Sequence, residues 1–131
     1  MPQPSSMKSP SLQLSCLLVK IYDAMFECKR LHNVCQMYKG MLNSIKSSGL
    51  NGDDDQSKNL SRMIAEVESK VVLNAKKLYK RIHLAEDFIE TFRNKIDDDE
   101  MVTVTQRNIQ EAKAWLSQMA NIYQYHDDYS Q

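Results

Sequence analysis

Ten positions between Leu14 and Ile45 are apolar or weakly polar in unbroken steps of three and four: Leu14, Leu17, Ile21, Ala24, Cys28, Leu31, Cys35, Tyr38, Leu42 and Ile45. A seam with that period runs along one side of an α-helix, where it meets a partner helix, and it fits no strand. Residues 11–47 therefore read as one helix of about 55 Å. They contain no proline, and Gly40 is the one glycine at which the helix can bend.

The same logic extends down the chain. No Gly or Pro occurs from Ser57 to Asp97. The seam Leu60, Ile64, Val67, Val71, Ala75, Leu78, Ile82, Ala85, Ile89, Phe92, Ile96 predicts a second helix over 57–97. Its two consecutive steps of four at 67, 71 and 75 form a stutter, which relaxes left-handed supercoiling. Between the helices, Ser47-Ser48-Gly49 and Asn51-Gly52 form a turn, and Asp53 or Asp55 is placed to cap the second helix. Val102-Thr103-Val104-Thr105 favours extended backbone, and Thr103 with Gln106 has the form of a capping box. A third helix is thus expected over about 105–125, with Ile109, Ala112, Leu116, Met119 and Tyr123 on one stripe. Residues 1–10, which hold all three prolines, read as a flexible arm whose Ser9-Pro10 pair suits a proline-directed kinase. Residues 126–131 read as a frayed tail.

A connection of about nine residues between two helices of similar length makes an antiparallel hairpin, with residue 28 opposite about residue 75. A third helix of about 30 Å covers half of it. That half holds the start of helix one and the end of helix two. Composition agrees: thirteen of the twenty residues from Leu12 to Leu31 are apolar, against seven of sixteen from His32 to Ser47. The fold class is all-α, a long coiled-coil-like antiparallel hairpin with a shorter third helix making a three-helix bundle at one end, in a single helical domain over 11–125.

The distal half then carries more apolar side chains than its pairing uses. Val34, Met37 and Met41 on helix one and Met63 and Val72 on helix two form a second stripe facing water. Such a patch marks a docking surface, and methionine adapts to a partner. The expected function is a non-enzymatic protein–protein interaction or assembly module. It would be a small helical subunit or adaptor of a larger complex, docking a helical partner through that half. A homodimer closing a four-helix bundle is a second form of the same idea. The alternative is a nucleic-acid-associated factor using the basic patch Lys76, Lys77, Lys80 and Arg81, with Tyr79 beside it. Seventeen Lys and Arg balance seventeen Asp and Glu, so nucleic acid is not expected as the main partner. The balance is uneven along the chain. Residues 1–47 hold six bases and two acids, whereas 98–131 hold two bases and six acids, an asymmetry that suits helix pairing.

Other constellations lead nowhere chemical. Cys28, His32 and Cys35 share a helical face as zinc ligands would, but the opposing segment offers no good fourth ligand, so both cysteines read as buried free thiols. Asp53-x-Asp55-x-Ser57-x-Asn59 begins like a calcium loop, but Lys58 and Ile64 stand where it needs Gly and Glu. Tyr22, Tyr38, Tyr79, Tyr123 and Tyr125 read as rim residues with wet hydroxyls. No phosphate-binding Gly loop or Ser/His/Asp set is present, so no enzyme, metal or cofactor is expected. No run of about 18 apolar residues predicts membrane insertion. An odd number of cysteines and an N-terminus without a secretory pattern suit the cytoplasm or nucleus.

Overall fold

The computed structural model describes residues 9–49 and 55–125. Three helices account for most of them: α1 Pro10–Ser47, α2 Asp55–Phe92 and α3 Asp99–Tyr123. Together they form an all-α three-helix bundle in which α1 and α2 pair as an antiparallel hairpin and α3 packs against both. The expected arm over 1–8, the expected cap at Asp53 and the expected tail over 126–131 lie outside the described residues.

Local chemistry explains the ends. Ser9 is extended and its Oγ accepts from the Leu12 N–H at 3.1 Å, with Pro10 at the first helical position. Ser9 and Pro10 therefore start α1 rather than belonging to the arm. The helix passes through Gly40 and stops at Ser48 and Gly49, whose φ is +86°.

The α2–α3 corner departs from expectation. α2 ends at Phe92, a 3-10 turn covers Arg93–Lys95, and extended Ile96 buries its side chain. α3 then begins at Asp99, six residues before the predicted start. Asp98 Oδ1 accepts from the Met101 N–H at 3.1 Å, and Asp99 and Glu100 complement the positive end of the helix. The extended preference of Val102–Thr105 is overruled because Val102 and Thr105 are buried against the hairpin. Thr103 does not cap: its hydroxyl donates to Asp99 O at 3.1 Å, as the Thr105 hydroxyl does to Met101 O at 2.7 Å. Burial outweighs a propensity difference of a few tenths of a kcal/mol per residue.

Both hairpin seams are buried over most of their length. Leu14, Ile21, Ala24 and Cys28 of α1 meet Val71, Ala75, Leu78, Ile82 and Ala85 of α2, and Ile109, Ala112, Leu116 and Met119 of α3 close the core. Cys28 Sγ points at Val71 O, 3.9 Å away, one turn from the expected opposite number. Lys20 O receives Arg81 Nη1 at 2.7 Å, and Lys39 Nζ pairs with Glu68 at 3.2 Å.

Because α3 starts early, its 25 residues span about 37 Å and reach past the middle of the hairpin. Tyr123, its last residue, lies against His32 and Lys39. The expected two-helix distal half is thereby reduced to roughly the last two turns of α1 and the first three of α2.

Candidate partner-docking surface

The end of α3 is held by a clasp of aromatic side chains. His32 Nδ1 and the Tyr123 hydroxyl are hydrogen-bonded at 2.7 Å, and the imidazole meets the Trp115 and Tyr123 rings edge-on, with centroids 5.6 and 5.7 Å apart. Lys29 and Lys39 place their ammonium groups 5.4 Å from the Trp115 and Tyr123 ring centres. The basic helix α1 thus meets α3 through aromatic faces. Two ion pairs that join helices, Lys39–Glu68 and Lys113–Glu86, both use α2.

Burial, with Cys35 close by, pushes the Tyr123 phenol far up, so its hydroxyl stays protonated. It is not the wet rim hydroxyl expected. Burial first, and Lys39 second, push the His32 pKa down. His32 is therefore bonded within the fold, and Cys28 is packed on Val71. Burial raises the Cys28 thiol, an effect partly offset by the Trp115 indole N–H beside it. All three cysteines are free, and among the described residues no group of His, Cys, Asp and Glu is placed to hold a metal ion.

The five residues predicted to dock a partner do not form one patch. Nine residues are two and a half helical turns, so residues nine apart point in opposite directions. Val72 lies on the α3 side of α2, at a hollow it shares with Ile122 and Tyr123. Met63, nine residues earlier, points away from α3. On α1, His32 faces α3 and Met41, nine residues on, points away. Val34 and Met37 lie on that same outer arc. Met37, Met41 and Met63 are exposed and Val34 is half-buried. The structure therefore groups Val34, Met37, Met41 and Met63 and separates Val72.

The same arc continues where none was expected. Leu12, Val19, Tyr22 and Phe26 stand with Met37 and Met41 on the outward side of α1, all between 46 and 70% exposed. Leu12, Val19 and Phe26 are seven apart, which makes a second seam on the back of the first helix. The wide apolar band in 12–31 is read from sequence as serving α2 and α3. In the structure α3 takes only one flank, and the back of the helix is left facing solvent. The heptad spacing of 12, 19 and 26 is the signal that locates it.

Of the basic patch, Lys76, Lys77 and Lys80 are exposed, whereas Arg81 is half-buried and bonded to Lys20 O. Tyr79 packs its ring on His83, with centroids 4.5 Å apart, on the α3 side of α2. It is nearly half a turn from Lys77 and on the same side as Lys76, one turn before it. The surface to be explained is a three-helix bundle whose first helix is apolar on two opposite sides. No protein-family model matches the chain, and neither a curated protein nor a solved structure does. Among the described residues no helix is long and apolar enough to cross a membrane.

Proposed function

We propose that this protein is a non-enzymatic interaction or assembly module, a small helical subunit or adaptor that binds a helix of a protein partner. The observation that carries the reading is the second seam of α1. A helix apolar on opposite sides normally has neighbours on both, and α1 has its neighbours on one side and one flank. Large side chains at Leu12, Val19, Phe26, Met37 and Met41 supply anchors at helical spacing, as helix docking requires. Three free cysteines, two of them buried, suit a reducing cytoplasmic or nuclear setting.

The test compares what co-purifies from native cells with the intact chain and with Phe26→Glu and Met41→Glu variants of unchanged helix content. A partner captured at stoichiometric level by the intact chain and lost from either variant supports docking through α1. Identical recovery by all three chains refutes it.

A further inference from the structure

We propose that the groove between α1 and α2 on the side away from α3 seats a partner helix that is apolar at both ends and acidic in the middle, completing a four-helix bundle. Such a partner presupposes docking on α1 as above and specifies its chemistry; of the outward anchors it engages Met41, while Val19 and Phe26 stand on the back of α1 outside this groove.

One contact crosses the middle of this groove: Arg81 reaches across to Lys20 O. Lys77 stands one turn before Arg81 on the same side of α2. This crossing is on the side opposite α3. Lys20 is nine residues from Lys29, which lies over Trp115, and Lys77 is nine from Glu86, which pairs with Lys113 of α3. On this side stand Lys20, Arg30, Lys77 and Arg81 with Asp23 and Glu27, whereas Lys29 lies over Trp115 and Lys76 and Lys80 point out of the groove. Arg30 and Glu27 satisfy one another, at 2.6 and 2.9 Å, which leaves Lys20, Lys77 and Arg81 against Asp23.

The ends of the groove are apolar. At one end Cys16, Leu17 and Phe88 line a shallow hollow together with Gln13. At the other stand Val34, Met41 and Met63. From Cys16 to Met41 is about 37 Å, which a partner helix of about 25 residues spans.

Charge decides among occupants. A second copy packed here about a two-fold axis places one basic middle against another, which costs association energy. Nucleic acid has no use for the apolar ends. An acidic middle between apolar anchors matches all three zones.

Two labelled synthetic helices of about 25 residues provide the probe. They share Leu and Ile at three-four spacing and differ only in flanking the middle turns with Glu or with Lys. Each is titrated with the full chain by fluorescence anisotropy. The Glu helix is expected to bind at least about tenfold tighter, a preference that shrinks at high salt. Lys20→Glu with Lys77→Glu should reverse it, and Met41→Asp should weaken both helices. All three positions are exposed, and circular dichroism confirms folding. Equal binding of the two helices, still lost in Met41→Asp, overturns the acidic partner while the docking function stands. Binding of neither helix, with an oligonucleotide shift lost in the Lys20/Lys77 variant, overturns both. A dimer that dissociates on Met41→Asp assigns the groove to a second copy and also overturns the proposal.

Discussion

Replacing Tyr123 by Phe removes one oxygen and leaves the ring in place, so it isolates the hydrogen bond that ties the end of α3 to α1. The hydroxyl is hydrogen-bonded to His32 Nδ1 at 2.7 Å. A net bond of this kind contributes about 1 kcal/mol, and leaving Nδ1 without its partner adds to the loss. Both residues are half-buried, so water recovers part of that second cost. A loss of about 1–1.5 kcal/mol results, or about 4–6 °C in Tm for a chain of this size. His32→Ala also forfeits the edge contacts with Trp115 and Tyr123, each worth about 0.5–1 kcal/mol, and should cost about 2–3 kcal/mol. Urea unfolding of both single variants and the double variant measures their coupling, expected at about 1–1.5 kcal/mol.

Acid should narrow the difference between the parent and His32→Ala, which lacks the titrating imidazole. Burial lowers the His32 pKa below its ordinary 6.5. The unfolded state therefore binds the proton first, and the contribution of the neutral imidazole is complete above that value. It is lost as pH falls through the lower folded value. The stability gap should therefore be widest near pH 7.5 and narrow toward about pH 5. Additive single variants, or a gap that widens in acid, would refute the clasp as an energetic link.

Gly40 is mid-helix and a Cβ built there meets nothing within 4 Å, so Gly40→Ala should stabilise by about 0.5–1 kcal/mol in urea unfolding; a loss would show that α1 needs the glycine. In the native protein a thiol reagent should modify half-exposed Cys16 quickly and Cys28 and Cys35 only at the rate of opening, since both are buried and the Cys28 thiol is held up in pKa. Equal labelling of all three would contradict the packing of the hairpin core.

Much of this was legible in the residues. The three-four ladders of Leu14–Ile45 and Leu60–Ile96 specify two long helices, because only a helix places such residues on one side, and the short turn between them imposes an antiparallel hairpin. Register was legible to within a turn at Cys28. The start of α3 was not. Val102–Thr105 reads as extended backbone, and only burial of Val102 and Thr105 against the hairpin, with Asp98 as cap, explains a helix there. Those six residues lengthen α3 enough to bring Tyr123 to His32, and they shrink the open distal half.

For the candidate surface the division is similar. Periodicity marks which residues share a side of a helix, so Val34, Met37 and Met41 belong together on spacing alone. It carries no information about which flank a third helix will choose. α3 packs beside Val72 and opposite Met63, which divides one predicted patch in two and leaves Leu12, Val19 and Phe26 in water. Helix identity is a matter of local spacing and was set by the residues in order along the chain. The exposed faces depend on where a distant segment finds most apolar area to cover, and that was decided only when the three helices packed.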